Sequence, residues 1–197
     1  MAPSDSRSSD QTVIEQAKHD PAAFGILFDR HFGSIFAYLV RRTGDWEASR
    51  DLASETFLKA LKALPRYRWQ GRPVSAWLFA IATNELRMYY RRGQRAPASL
   101  DALVAGSAVY VADPSTLDDE RQAVERELEQ NAEFALVRRA LTRLPLKYQE
   151  AIALRYFEEK TVAEVAEILG KPEGTVKSLV SRGLESLRAV LEQTQRS

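Results

Sequence analysis

Two groups of side chains in this chain of 197 residues carry recognisable binding chemistry. In the first, Arg66, Tyr67, Arg68, Trp69 and Arg72 crowd the short stretch between Pro65 and Pro73. Guanidinium groups neutralise phosphates, and each aromatic face that stacks an unpaired base contributes roughly 1–3 kcal/mol, so this mixture suits a single nucleic-acid strand. Asn84, Arg87, Tyr90, Arg91 and Arg92 continue the same chemistry further along. In the second group, Thr175, Lys177, Ser178, Ser181 and Arg182 share one side of a helix, with Glu185 beside them. Lys, Ser and Arg near a helix start are the side chains that reach base edges in a major groove. Each group also has a plainer reading. Trp77 and Phe79 read more simply as core, Tyr67 and Trp69 suit core packing and base stacking equally, and the second group could be the solvated face of a helical hairpin.

The elements that must hold these groups are all helical. Thr161-Val-Ala-Glu164 is a capping box, in which the Thr hydroxyl takes an early backbone N–H and the Glu reaches back to the cap. Val162, Val165, Ala166 and Leu169 form a short apolar stripe, and Gly170 supplies the positive φ that ends a helix. Small Ala166 and Gly170 suit a close crossing. After Lys171-Pro-Glu-Gly174 a second helix begins near Thr175, with Val176, Leu179, Val180, Leu184, Leu187 and Leu191 spaced by three and four on its inner side. Helix, short turn and second helix with a basic start make a helix-turn-helix over about residues 161–191.

Upstream, Asp20-Pro21 starts a helix, Asp as the cap and Pro where its missing N–H is not needed. Phe24, Leu27, Phe28, His31, Ile35, Phe36 and Leu39 follow at helical spacing until Thr43-Gly44. Asp45 caps the next helix, whose buried stripe is Trp46, Leu52, Ala53, Phe57, Ala60, Leu61 and Leu64, and Pro65 breaks it. A third helix spans about residues 75–92 with Trp77, Leu78, Ile81, Ala82, Met88 and Tyr89 inward, ended by Gly93. No strand-like alternation appears. The fold class is therefore all-α, with two small helical domains joined by a flexible linker.

Charge divides the chain in the same places. The net charge of +1 conceals +5 over residues 1–95, −6 over 96–132 and +2 over 133–197. Two basic segments around an acidic one fit a protein that grips a polyanion at two places. Residues 1–11 are Ser- and Asp-rich and read as a disordered N-terminus. Residues 94–119, with Pro97, Gly106 and Pro114, read as a flexible acidic linker. Asp118 to Leu141 reads as a charged helix leading into the second domain.

Catalysis finds no support. The chain has no cysteine and two histidines, His19 and His31, so thiol chemistry is excluded and no metal-ligand spacing exists. His31 lies on an apolar stripe and reads as a satisfied core residue, and Glu158-Glu159 reads as solvated. There is no Gly-rich phosphate loop. No cofactor and no metal are expected, and no run of apolar residues is long enough to span a membrane. The expectation is a non-enzymatic cytoplasmic protein.

Six motifs in register then point to one family. Asp51-Leu-Ala-Ser-Glu-Thr-Phe-Leu58, Ala76-Trp-Leu-Phe-Ala-Ile-Ala-Thr-Asn84 and Tyr90-Arg-Arg92 resemble the second conserved region of bacterial extracytoplasmic-function sigma factors of the sigma-70 family. Arg143-Leu-Pro145, Leu154-Arg-Tyr-Phe157 and Gly174-Thr-Val-Lys-Ser178 resemble the fourth region. The likeness covers roughly residues 20–92 and 133–191. It implies a factor that binds core RNA polymerase and directs it to promoters, recognising −10 and −35 elements. Residues 12–93 would form the domain that docks on polymerase and opens the −10 element, residues 120–193 the domain that reads the −35 element, and 194–197 a tail.

By the same resemblance Asp51, Glu55, Phe57 and Leu58 would meet the clamp helices of the largest polymerase subunit, and the second domain the flap of the second subunit. Arg66, Tyr67, Arg68 and Trp69, with Asn84, Arg87, Tyr90 and Arg91, would hold the opened −10 strand. Thr175, Lys177, Ser178, Ser181 and Arg182 would lie in the −35 major groove. The partners implied are core polymerase, promoter DNA and an anti-sigma factor. Ser54 departs from the family, which usually carries Gln there. The alternative is a one-component or response-type helix-turn-helix regulator that binds duplex DNA without polymerase; it would need neither the Arg/aromatic loop nor the acidic docking helix.

Overall fold

The computed structural model describes residues 4–69, 71–93 and 132–195, and among them every regular element is a helix. The first unit is built from α1 (Ser4–Ala17), α2 (Phe24–Thr43), α3 (Trp46–Ala63) and α4 (Val74–Arg91). The second contains α5 (Ala132–Thr142), α6 (Leu146–Ile152), a π-helical turn (Ala153–Phe157), α7 (Val162–Leu169) and α8 (Glu173–Gln195). None of the described helices is long and apolar enough to cross a membrane. The expected linker and most of the expected charged helix before α5 lie outside the described residues.

The helix boundaries follow the local chemistry. Asp20 caps a 3-10 turn, Pro21–Ala23, by accepting from the Ala22 N–H at 3.0 Å, and that turn feeds α2. Gly44 ends α2 at φ +68°, a left-handed conformation that costs glycine nothing. Asp45 then caps α3 through the Ala48 N–H at 3.0 Å. Thr43 and Ser49 hydroxyls meet at 2.7 Å inside this corner, so these two buried hydroxyls are satisfied.

Burial of its second half outweighs composition in the N-terminal helix. The Ser/Asp-rich stretch read as disordered enters α1 at Ser4. Further along α1, Val13, Ile14 and Ala17 are buried against α2, and Asp10 is tied to Arg30 at 2.9 Å. Those contacts repay the ordering that composition alone would not.

The first unit's core combines Ile14, Leu27, Ile35, Tyr38, Leu39, Leu64, Val74, Leu78, Phe79 and Leu86, all essentially sealed. Phe24, Phe28 and Phe32 surround Phe57, with ring centroids 4.9–6.4 Å away. The inward face of α4 is displaced from the expected one. Val74, Ala76, Leu78, Phe79, Ala82, Thr83, Glu85 and Leu86 are buried, whereas Trp77, Ile81, Met88 and Tyr89 are half-buried. The polar members explain the mismatch. Thr83 bonds the Tyr38 hydroxyl at 3.0 Å, and Glu85 accepts from Lys59 at 2.6 Å, so both enter the core satisfied.

In the second unit, Pro145 leads into α6, and the Gln149 amide donates to the Leu144 carbonyl at 2.7 Å across that start. Leu141, Leu144, Ile152 and Leu187 form its own cluster. The two units are not separate bodies. Ala151, Leu154, Val165, Ile168, Leu169 and Val176 join the first unit's core as one continuous apolar cluster.

Candidate nucleic-acid interface

The helix-turn-helix forms as its residues demand. The Glu164 N–H donates to the Thr161 hydroxyl oxygen at 3.3 Å, and the Thr161 N–H donates to the Glu164 carboxylate at 2.8 Å, closing the capping box. Gly170 ends α7 at φ +63°. Space around it is open, so it is required for its conformation and not for a close crossing. The close approach occurs at Gly183, where a Cβ would stand 2.9 Å from the Ile152 Cδ1 and 3.3 Å from the Tyr148 Cβ. Gly183 therefore takes an inward place on α8, and Leu184, expected there, is 39% exposed. Val176 and Leu187 are buried as expected, with Leu179, Val180 and Leu191 half-buried.

On the outer face Thr175, Lys177, Ser178, Ser181 and Arg182 are all exposed. The Ser178 hydroxyl donates to the Gly174 carbonyl at 3.0 Å and the Ser181 hydroxyl to Glu185 at 3.4 Å. Among the described residues the Lys177 and Arg182 side chains have no polar partner, which leaves two cations and two rotatable hydroxyls near the start of a solvent-facing helix. That is a surface able to meet phosphates and base edges.

The Arg/aromatic loop is arranged less freely. A 3-10 turn, Leu64–Arg66, leads out of α3 with Leu64 buried. The Tyr67 ring lies 4.3 Å from that of Trp77, and Trp69 packs on the edge of the shared core. Burial raises the Tyr67 phenol above its ordinary value, and the Glu167 carboxylate adds to the shift. Arg66 and Arg68 are exposed, while Arg72 pairs with Glu167 of α7 at 3.1 Å.

On α4, Asn84 and Arg91 are exposed, and Tyr90, half-buried, donates its hydroxyl to the Arg42 carbonyl at 2.6 Å. Arg87 donates twice to Glu150 of α6, from Nε and Nη2, both at 2.7 Å, and once to Asn84 at 3.2 Å. Its pKa is raised, first by that hydrogen bond and then by the charge of the same carboxylate. The loop and the outer side of α4 thus share one end of the first unit. Part of that surface is covered by the second unit.

The acidic helix places its residues on two sides. Asp51 and Leu58 are exposed and Glu55 is partly so, facing Lys59 at 3.5 Å. Phe57 is 3% exposed and belongs to the phenylalanine cluster, so it cannot itself present a surface to a partner. The i+1 spacing that put it beside Leu58 in sequence turns it by about 100° on a helix.

Sequence reasoning missed the residues that join the two units. Glu158, read as solvated, has a 7% exposed side chain and accepts from Arg41 at 2.9 Å. The π-helical turn and a positive φ of 51° at Glu159 redirect the chain at this point. Lys160 lies 4.8 Å over the Phe79 ring. The Glu150 side chain is 4% exposed. A lone acid directly before the apolar run Ala151-Ile-Ala-Leu154 was the available signal. His31 is a second departure: its Nε2 has no hydrogen bond and stands 3.4 Å from the Asp10 carboxylate. Its pKa is lowered, chiefly by burial, with Asp10 acting in opposition.

With this geometry in hand, likeness to known proteins adds independent information. Residues 27–96 match the family model for Sigma-70 region 2, and residues 134–187 that for Sigma-70, region 4. The chain is 33% identical over 185 residues to the ECF RNA polymerase sigma factor SigW of Bacillus subtilis, covering 91% of this chain and 94% of that one. It is 31% identical over 186 residues to the ECF RNA polymerase sigma factor BldN of Streptomyces coelicolor, covering 93% of this chain and spanning 66% of BldN's length. The fold resembles that of CnrH in complex with the cytosolic domain of CnrY, with a TM-score of 0.64, 25% identity, and coverage of 93% and 97%.

Proposed function

The chain belongs to the extracytoplasmic-function branch of the sigma-70 family of RNA polymerase sigma factors, and on that premise we propose how its residues divide the work of promoter recognition. A sigma factor binds core RNA polymerase and directs it to initiate at promoters carrying −10 and −35 elements. Residues 12–93 form the −10 and polymerase-docking unit and residues 120–193 the −35 unit. The observation that carries this reading is the capped helix-turn-helix whose exposed Lys177, Ser178, Ser181 and Arg182 lie in the stretch matched by region 4.

Each assignment has a physical basis. Lys177 and Arg182 give two donors without partners among the described residues, suited to phosphates and guanine edges in the −35 major groove. Arg66 and Arg68 are free to follow the backbone of an opened −10 strand, and Trp69 and Tyr67 offer stacking faces once a base displaces their present neighbours. Asn84, Arg87, Tyr90 and Arg91 extend that surface along α4. Asp51, Glu55 and Leu58 make an acidic face with an exposed apolar edge, fit for the polymerase clamp; Phe57 supports that face from beneath. The second unit meets the polymerase flap. The polymerase supplies the chemistry, and the factor acts in the cytoplasm without a catalytic group or metal of its own.

CnrH was solved in complex with the cytosolic domain of CnrY, and an anti-sigma factor is proposed as a protein partner of this chain. The match of residues 27–96 to region 2 favours a polymerase subunit over a regulator acting on duplex DNA alone. The test uses purified chain and bacterial core polymerase. Lys177→Ala with Arg182→Ala abolishes −35-dependent run-off transcription and leaves polymerase binding intact, whereas loss of polymerase binding in that variant would overturn the division of labour. Trp69→Ala or Tyr67→Ala slows promoter melting more than closed-complex formation, and an unchanged permanganate pattern on the open strand would overturn the loop assignment.

A further inference from the structure

Charge is distributed unevenly across the seam between the two units. The first unit supplies Arg41, Arg72 and Arg87 and the second supplies Glu150, Glu158 and Glu167, and a fourth arginine, Arg42, follows Arg41 in the last turn of α2. Three arginines are matched by carboxylates, at 2.9 Å for Arg41 and Glu158, 3.1 Å for Arg72 and Glu167, and 2.7 Å for Arg87 and Glu150. The fourth, Arg42, is 2% exposed, and its Nε, Nη1 and Nη2 all lack a hydrogen-bond partner among the described residues.

Arg42 is the observation that ordinary helix chemistry leaves over. Arginines in the last turn of α2 are favoured by the negative end of the helix dipole, which accounts for a charge there but not for its burial. A guanidinium held from water without an anion is costly to the fold that encloses it. It lies near enough to the phenols of Tyr38 and Tyr90 to oppose the rise that burial gives both. The Tyr90 hydroxyl holds the Arg42 carbonyl, and Arg87 stands three residues before Tyr90 on α4. The ends of α2 and α4 therefore bring Arg42 and Arg87 into one region, beside the second unit's Glu150.

We propose that Arg41 and Arg42, together with Arg87, form a binding site for nucleic-acid backbone phosphates, which the closed chain occupies with its own Glu150 and Glu158. Carboxylate and phosphate both accept paired N–H donors from arginine, so the two glutamates take the places of phosphate oxygens. Opening the seam withdraws them and brings Arg42 to water, where a phosphate supplies the missing anion. The proposal deepens the −10 reading and rests on it through Arg87; Arg41 and Arg42 are added here. The closed and strand-bound forms compete for the same donors, so strand binding is linked to opening.

The experiment uses the full chain, without polymerase, and a fluorescent mixed-sequence single strand about 20 nucleotides long, titrated between about 50 and 200 mM salt. Glu150→Gln combined with Glu158→Gln binds about tenfold tighter than the unaltered chain, within the range usual for coupling between sites. Adding Arg42→Ala to that pair reverses the gain and makes the salt slope shallower by about 0.7, the amount for one phosphate on a single strand. Equal affinity of the paired glutamine variant and the unaltered chain, or a slope indifferent to Arg42, overturns the proposal.

A second measurement does not depend on the glutamine variants folding well. Arg42→Met removes an uncompensated buried charge, so its thermal midpoint holds or rises; a fall of several degrees would show Arg42 to be paired and would overturn the proposal. Run-off transcription separates this outcome from the underlying function. Initiation with core polymerase alongside unchanged strand binding removes the phosphate site alone.

Discussion

Removing Arg87 strands a carboxylate. Glu150 is 4% exposed at its side chain, and both of its oxygens accept from Arg87 at 2.7 Å, while Arg87 is 30% exposed. Breaking a fully buried pair by deleting one partner costs about 3–5 kcal/mol, because the other charge is left uncompensated. Arg87 reaches solvent, so water already screens part of the pair and enters the space it vacates; Arg87→Ala should cost about 2–3 kcal/mol. Glu150→Gln differs in kind. The amide keeps one acceptor for the guanidinium, and the cation left behind is the partner that solvent reaches, so the loss should be about 1 kcal/mol.

For a chain of this size each kcal/mol moves the thermal midpoint by about 2–4 °C, giving a drop of about 4–12 °C for Arg87→Ala against about 2–4 °C for Glu150→Gln. Thermal melts followed by far-UV circular dichroism would measure both, with the double variant closing a cycle that isolates the pair. A loss for Glu150→Gln equal to or larger than that for Arg87→Ala would refute the claim that the stranded carboxylate dominates. No shift for either would mean that this pair does not hold the two units together.

Other expectations concern packing, docking and pH. Phe57→Ala should destabilise the first unit by about 3–5 kcal/mol through the cavity left among Phe24, Phe28 and Phe32. Leu58→Ala should leave the melt almost unchanged and weaken core polymerase binding; pull-down with core polymerase beside a thermal melt distinguishes the two. Gly183→Ala forces a methyl to within 2.9 Å of the buried Ile152 Cδ1. Overpacking of about 1–3 kcal/mol there should outweigh the helix-propensity gain of up to about 1 kcal/mol and lower the midpoint.

The His31 pKa lies below its ordinary 6.5 in the folded chain, so the unfolded chain binds the extra proton first. The stability that this group contributes is complete above about pH 6.5 and is lost as pH falls through that value toward the lowered one. Denaturant titrations of the unaltered chain and His31→Gln across this window should diverge, with the unaltered chain losing more stability on acidification. Parallel curves would refute the assignment.

How much of this could be read from residues alone depended on whether the interaction was local. The caps at Asp20, Asp45 and Thr161, the helix end at Thr43-Gly44 and the positive φ at Gly170 were legible because each acts within a few residues of itself. The exposed face of α8 was legible too, since one helical period fixes it. Face assignments failed where a polar residue enters the core with its partner, as Thr83 does with Tyr38, or where a glycine admits a neighbouring helix, as Gly183 does. Apart from the lone acid Glu150 before an apolar run, the seam left no local signal. Arg87 and Glu150 are 63 residues apart and Arg41 and Glu158 are 117 apart, and periodicity carries no information over those separations. At Phe57 two readings met: periodicity put it on the buried stripe and the family motif put it at the docking face, and its packing among the phenylalanines bears out the first.

A sigma factor makes core RNA polymerase selective, and that property can be measured directly for this chain. Purified chain would be mixed with bacterial core polymerase, recovered by pull-down, and tested in run-off transcription on a library of promoter fragments. Stable association with initiation at a defined set of fragments sharing −10 and −35 elements is the predicted result. Absence of polymerase binding with duplex DNA binding retained would contradict it, and would reduce the first unit to a domain with no role in transcription initiation.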